Sequence, residues 1–112
     1  MAIKMLTLTI AEPWFSMIRD GKKNEEYREI KPYYTRRLTI QASDDYDLIL
    51  SGEISATFKY FDCLVFTLGY HKAEDTERRL EFKNPRIRIG TGKPEWGAEP
   101  GKRYFVISWD KE

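Results

Sequence analysis

The change of hydrophobic period near the N-terminus limits the possible folds more than any other feature of the chain. Apolar and polar residues alternate over 3–10, which predicts a half-buried β-strand. Trp14, Met17 and Ile18 then follow at helical spacing, directly after Pro13. Gly21 suits a left-handed cap that ends this helix. The first part of the chain is therefore predicted to pass from a strand into a short helix.

Further elements are predicted along the rest of the chain. Strands are expected at 23–30, 64–68, 80–89 and 105–109, with a short helical turn starting at Pro32 and a break at Gly69-Tyr70. The apolar parity of 80–89 switches at Asn84-Pro85, which predicts a bulge or bend. The stretch 41–59 fits a short helix and a strand equally well. This order predicts a small α+β domain, with a curled sheet or open barrel and helices at one end.

Composition indicates a soluble, single-domain protein. The 112 residues have a mass of 13.3 kDa, and 41% are hydrophobic and 33% charged. No apolar run reaches the length of a membrane span, and the N-terminus lacks a signal-peptide pattern. The single cysteine, Cys63, cannot form an internal disulfide, nor anchor a zinc site with the lone His71. We therefore expect a cytoplasmic protein without a metal or a membrane partner.

The net charge of +1 conceals an uneven distribution. Residues 19–37 carry seven basic and four acidic side chains, and residues 72–103 carry nine and six, so each segment has a net charge of +3. Residues 41–62 carry five acids and one lysine, a net charge of −4. The two basic segments are either the walls of a positive groove or part of an ordinary mixed surface. The overall neutrality predicts that double-stranded DNA is not a partner.

Two familiar motifs do not fit the chain. Gly90-Thr91-Gly92-Lys93 lacks the glycine spacing of a phosphate loop, and Pro94 follows the lysine, so a turn-rich connector is favoured over phosphate binding. Cys63 lies in an apolar strand, where a thiol usually acts as a small core side chain rather than as a nucleophile with His71. No cofactor is therefore predicted.

The densest chemistry lies in residues 21–28. In a strand, Glu26 and Arg28 point to the same face as Asn24 and Ile30, while Lys23 sits where the chain leaves the helix. Arginine as a forked donor and glutamate as an acceptor suit a polar heterocycle. The alternative is a solvated, charged edge strand that prevents aggregation. Aromatic residues between the basic ones suit the stacking of unpaired bases, or fill a small core.

The segment 13–28 resembles the ASCH domain, a branch of the PUA-like superfamily. Its signature is a helix followed by Gly-x-Lys-x-x-Glu-x-Arg, and these positions are filled by Gly21, Lys23, Glu26 and Arg28. Residues 30–38 and 89–107 look like those of small, single-domain bacterial and phage-type members. The resemblance is poor over about 41–60, which looks like a variable insertion in a single domain spanning 1–112.

The resemblance implies a PUA-like β-barrel of five or six strands with two or three short helices. It also implies a charged cleft that binds RNA or a nucleotide-like molecule, as a base or a short single strand. The predicted binding residues are Trp14, Lys22, Lys23, Glu26, Tyr27, Arg28 and Trp96.

An enzymatic role is the alternative. Some small family members hydrolyse the acetyl amide of acetylated cytidine with a lysine, a threonine and a later acid. Lys23 matches that lysine, but Glu26 occupies the threonine position, and neither Ser16 nor Thr35 replaces it without a different geometry. Other members have been proposed to cleave RNA, which needs an acid, a base and a cation near a ribose hydroxyl. In either reaction Lys23 and Glu26 are the candidate catalytic residues.

Overall fold

A computed structural model of the protein describes residues 2–69 and 76–110. Within these ranges the chain forms five strands and three α-helices, in the order β1 (Met5–Ile10), α1 (Trp14–Arg19), β2 (Glu25–Glu29), α2 (Pro32–Leu38), α3 (Tyr46–Ser51), β3 (Cys63–Leu68), β4 (Arg79–Thr91) and β5 (Arg103–Asp110). Short 3-10 helices occupy Ser43–Asp45, Thr76–Arg78 and Pro94–Trp96.

The five strands form one mixed sheet in the order β1-β3-β4-β5-β2. β1 runs parallel to β3, with Leu6 opposite Leu64, and β3 runs antiparallel to β4, with Leu64 opposite Phe82. The predicted α+β class is confirmed. Among the described residues the sheet is not closed into a barrel. The closed barrel that the family resemblance implies is therefore not confirmed.

The chain divides into two compact units, each built from separate stretches of sequence. The first unit contains the described parts of 1–24, 61–86 and 108–112. Its core consists of the inward residues of β1 and β3 together with one face of α1 and the Trp109 ring, which lies 5.1 Å from Phe66 and 5.3 Å from Phe82. β3 buries Leu64, Val65 and Phe66 in succession, as expected of a strand covered on both faces.

The second unit contains residues 25–60 and 87–107. Its buried residues include Ile30, Leu38 and Ile49, and four consecutive positions of β5, from Tyr104 to Ile107. The stretch 41–59, for which the sequence left two alternatives, contains a helix: α3 follows a 3-10 turn and ends at Gly52, whose φ is 85°.

The buried face of α1 differs from the predicted one. Phe15 and Ile18 are the buried residues of this helix, whereas Trp14 and Met17 are only half-buried. The apolar face therefore begins one residue later than the spacing of Trp14, Met17 and Ile18 suggests. The physical reason lies at Trp14, whose ring contacts a lysine ammonium group instead of entering the core.

The predicted bend at Asn84-Pro85 is confirmed. Asn84 has a positive φ of 53°, and asparagine tolerates this conformation better than most residues. Before the bend, the half-buried apolar residues are Leu80 and Phe82, at even positions. After it they are Ile87 and Ile89, at odd positions. Both halves of β4 therefore present apolar residues inward, although the spacing between them is odd.

Two features considered from the sequence lie wholly or partly in the gap between residues 69 and 76. His71 and the predicted Gly69-Tyr70 break involve residues outside the described ranges. Among the helices of the described residues, none is long and apolar enough to cross a bilayer.

Candidate functional site

A Schellman turn places the signature lysine. The N–H of Gly21 donates to the carbonyl of Ile18 (3.1 Å), and the N–H of Lys22 donates to the carbonyl of Met17 (2.8 Å). Gly21 has a φ of 76°, so the predicted left-handed cap is confirmed. Because the turn satisfies the last helix carbonyls, the chain leaves α1 in a fixed direction. Lys22 then points to solvent and Lys23 points inward.

Lys23 is a buried lysine. Its side chain is 1% exposed, and its Nζ lies 5.2 Å from the centre of the Trp14 ring. The negative face of an indole ring stabilises an ammonium group that has left water. The structure therefore brings together two of the predicted site residues, Lys23 and Trp14, within the first unit.

A cavity of about 320 Å³ opens beside this turn within the first unit. Its lining residues are Ile18, Arg19, Asp20, Gly21, Lys23, Asn24, Glu81, Phe82 and Trp109. Five of these nine residues are charged or polar, whereas small-molecule sites are mostly apolar with a few polar groups; the volume lies at the small end of the range for such sites. Lys23 is part of this lining, whereas Trp14 is not among the described lining residues.

In the second unit, β2 directs the signature acid and arginine to one face. An Arg28 nitrogen donates to Glu26 Oε2 at 2.7 Å, and the other terminal nitrogen donates to the Tyr34 hydroxyl at 2.9 Å. Glu26 is 8% exposed, although β2 stands last in the strand order. The alternative of a solvated, charged edge strand is therefore wrong for Glu26. We call Glu26, Arg28 and Tyr34 the buried cluster.

The electrostatics of the buried cluster keep Arg28 charged. Burial lowers the pKa of Arg28, but the Glu26 carboxylate and the Tyr34 hydroxyl outweigh this effect, and the pKa is raised above its usual value. The guanidinium carbon also lies 5.6 Å from the centre of the Tyr34 ring. The arginine side chain is thus held by a carboxylate, a hydroxyl and an aromatic face.

The opposite face of β2 carries Tyr27, which ties a distant loop to the strand. Its hydroxyl accepts a hydrogen bond from the Lys93 N–H (3.0 Å) and donates to the Glu25 carboxylate (2.9 Å). Burial, together with the neighbouring Glu25, raises the pKa of Tyr27 to about 12. The loop approaches the ring so closely that a Cβ on Gly92 would lie 2.6 Å from it.

The loop held by Tyr27 carries Trp96, another predicted site residue. A 3-10 turn over Pro94–Trp96 folds the chain back, so that Lys93 Nζ lies 4.3 Å from the centre of the Trp96 ring. Lys93 is exposed and Trp96 is half-buried. We call these two residues the exposed pair, because the cation of the pair lies at the surface.

The two hydroxyls weighed as alternative nucleophiles are both constrained. Thr35 is fully buried in α2, and its Oγ1 has no hydrogen-bond partner among the described residues. The Ser16 hydroxyl donates to Glu12 Oε2 at 2.6 Å. Burial closes off Thr35, Glu12 accepts hydrogen bonds from both the N–H and the hydroxyl of Ser16 at the start of α1, and neither residue is among the described lining residues of the cavity beside Lys23.

Three contributors to these sites escaped the sequence reasoning. The Tyr34 hydroxyl, in α2, accepts a hydrogen bond from Arg28 in β2, and the ring centres of Tyr104 and Tyr27 lie 5.7 Å apart. No periodicity in the sequence connects either pair. Lys93 had a usable signal, because it stands three residues before Trp96 in a turn that starts with proline. The glycine spacing of 90–93 argues against a phosphate loop, but it carries no information about a lysine next to an aromatic ring.

Comparison with known proteins gives a family but no individual relative. The sequence model of the ASCH domain matches residues 8–104, which is most of the chain and includes the signature positions. No curated protein and no solved structure matches the chain.

Proposed function

The chain belongs to the ASCH domain family, and from this premise we propose that it binds RNA or a nucleotide-like ligand, as a base or a short unpaired strand. The relationship to PUA-like proteins, the cytoplasmic setting and the exclusion of double-stranded DNA are parts of the same proposal. What supports it beyond the family is the density of contacts between cations and aromatic rings.

At least five such contacts occur in the described residues. They are Lys23 with Trp14, Arg28 and Lys31 with Tyr34, Lys93 with Trp96, and Lys102 with Tyr104, at 4.3 to 5.6 Å. One or two would be ordinary, since significant pairs occur about once per 70–80 residues. Aromatic rings beside lysine and arginine are the usual surface for unpaired nucleotides, because bases stack on the rings and phosphates pair with the cations.

The proposed site residues have different tasks. In the first unit, Lys22 is exposed and meets phosphate, while Lys23, which lies against the Trp14 ring, lines the cavity. In the second unit Trp96 stacks on a base and Tyr27 holds the loop that carries it. Glu26 and Arg28 contribute through the buried cluster, which fixes the strand from which Tyr27 projects.

Fluorescence anisotropy with a labelled short single-stranded RNA tests this function. Binding is expected to weaken as salt rises, because phosphate contacts release counterions, and duplex DNA of the same length should bind much more weakly. Trp96→Ala should lower RNA affinity by about tenfold, the effect of losing one stacked base. Tyr60→Ala, which removes a ring that is 68% exposed and lies outside the proposed site, is the matched control and should leave RNA affinity unchanged. The proposal is overturned if neither RNA nor a mononucleotide binds, or if RNA binding does not depend on salt.

A small hydrolase remains the second candidate, and the position of Lys23 favours it. This lysine occupies the place of the catalytic lysine of hydrolytic family members, and it lines the 320 Å³ cavity. Acetylated cytidine and short RNA, each incubated with the protein and separated by chromatography, test both reactions. If Lys23→Ala protein forms as much product as the unmodified protein, Lys23 is not the catalytic residue.

A further inference from the structure

We infer that the exposed pair is a subsite for one unpaired nucleotide, in which Trp96 stacks on the base and Lys93 pairs with its phosphate. This inference rests on the proposed function and gives it a location and a ligand unit. It also assigns a role to Lys93 and to the turn that carries it.

The geometry of the pair suits both halves of a nucleotide. Lys93 is exposed, its ammonium group lies 4.3 Å from the ring centre, and Trp96 is half-buried, so part of the Trp96 surface is accessible beside an exposed cation. A flat ring in this position offers a base a stacking partner whatever the base is. The ammonium group on its flexible stem is a point charge that follows a phosphate easily.

The turn that carries the pair is fixed at both ends by tyrosine hydroxyls. Tyr27 accepts the N–H of Lys93 at 3.0 Å, and Tyr104 accepts the N–H of Glu99 at 2.9 Å. Inside the turn, the carbonyl of Lys93 accepts the N–H groups of Trp96 and Ala98. A loop held in this way loses little conformational entropy when a ligand arrives, which favours binding.

Binding exchanges one contact of Lys93 for another. An arriving base takes the place of the ammonium group over the Trp96 ring, and the ammonium group turns to the phosphate of the same nucleotide. The cation–aromatic contact is thus replaced by a stacked base and an ion pair. A ligand with both a base and a phosphate is therefore expected to bind better than one with the base alone.

A second pair in the same unit provides a matched control. Lys102 Nζ lies 5.4 Å from the centre of the Tyr104 ring, but Tyr104 is only 6% exposed. The ammonium group also donates a hydrogen bond to Glu29 Oε1 at 3.1 Å. A base has no access to that ring. Lys102→Ala removes a similar contact without removing a subsite.

The experiment compares a nucleoside with its 5′-monophosphate by NMR titration, which detects millimolar affinities. For the unmodified protein the monophosphate should bind about threefold more tightly, the effect of one exposed ion pair. Lys93→Ala should abolish this preference while nucleoside binding persists. Trp96→Ala should weaken both ligands by about tenfold, with Trp96→Phe intermediate. Lys102→Ala should leave the affinity for both ligands unchanged.

The outcomes separate this inference from the proposed function. An undiminished phosphate preference in Lys93→Ala overturns the role of the lysine, and unchanged binding by a folded Trp96→Ala protein overturns the role of the ring. If the unmodified protein binds short RNA but neither mononucleotide ligand, the subsite is overturned and the proposed function stands. If it binds neither RNA nor mononucleotides, both fail.

Discussion

The buried cluster and the exposed pair use the same chemistry for different ends. In each, a cation lies against an aromatic ring: Arg28 against Tyr34 at 5.6 Å, and Lys93 against Trp96 at 4.3 Å. Arg28 also has a carboxylate at 2.7 Å, and its side chain is 14% exposed, whereas Lys93 is at the surface. A cation fixed by several partners supports the fold, and a cation at the surface is available to a ligand. Burial, rather than residue type, separates the two roles.

The largest effect is expected from removing the cation of the buried cluster. Arg28→Met should lower the free energy of unfolding by about 3 kcal/mol, because the buried Glu26 carboxylate loses its cationic partner. Urea denaturation followed by circular dichroism measures the change. The double variant Glu26→Gln/Arg28→Met should recover part of the loss, since no buried carboxylate charge remains. A single variant as stable as the unmodified protein would contradict the structural role of Arg28.

The next effect tests the close contact between the loop and Tyr27. Gly92→Ala should destabilise the protein by about 2 kcal/mol, because the new Cβ would lie 2.6 Å from the Tyr27 ring and 2.7 Å from the Ala98 Cβ. Gly21→Ala is the matched control: there the added Cβ meets open space, and only the positive φ of 76° opposes it, at about 1 kcal/mol.

A further contrast distinguishes these two glycines. Asparagine accepts a positive φ, so Gly21→Asn should be milder than Gly21→Ala, whereas Gly92→Asn should be worse than Gly92→Ala. Thermal unfolding of the four proteins ranks them. Equal losses at both positions would show that the loop does not pack tightly on Tyr27.

The Tyr27 hydroxyl should give the stability a dependence on alkaline pH. Its pKa is raised from 10.0 to about 12 in the folded protein, so the folded state favours the neutral phenol. This stabilisation is complete below pH 10 and is lost as the pH rises from about 10 to about 12. Tyr27→Phe should remove that part of the pH dependence and, near neutral pH, lower stability by about 1 kcal/mol. Tyr60→Phe, at a tyrosine that is 68% exposed, is the matched control.

The smallest effect on stability is expected at the exposed pair. Lys93→Ala should change the free energy of unfolding by less than about 0.5 kcal/mol, as is usual for a surface side chain. Denaturation in parallel with Arg28→Met makes the comparison direct. A loss as large as that of Arg28→Met would place Lys93 among the residues that support the fold.

The sequence correctly predicts those features whose backbone conformation depends on one residue or on its near neighbours. Gly21 ends α1 in the expected left-handed conformation, and the parity switch at Asn84-Pro85 correctly indicated a bend. The alternation of Glu26 and Arg28 correctly placed both on one face of β2. Each of these inferences depends on neighbours within a few positions, which a sequence displays.

The rest depends on contacts between residues far apart in sequence. The spacing of Trp14, Met17 and Ile18 places the apolar face of α1 one residue too early, because Trp14 contacts the Lys23 ammonium group instead of the core. The hydrogen bond from the Lys93 N–H to Tyr27 joins positions that no periodicity relates. The charge of residues 19–37 also gave no indication that Lys23 and Glu26 would be buried, since burial depends on tertiary packing.

One measurement tests most directly the claim that burial separates the two cation–aromatic sites. The labelled protein is titrated with a short single-stranded RNA while the Trp96 indole N–H and the Arg28 guanidinium N–H signals are followed by NMR. We predict a large shift of the Trp96 signal that saturates with RNA, and little change at Arg28. A saturating shift at Arg28 with none at Trp96 would contradict the account.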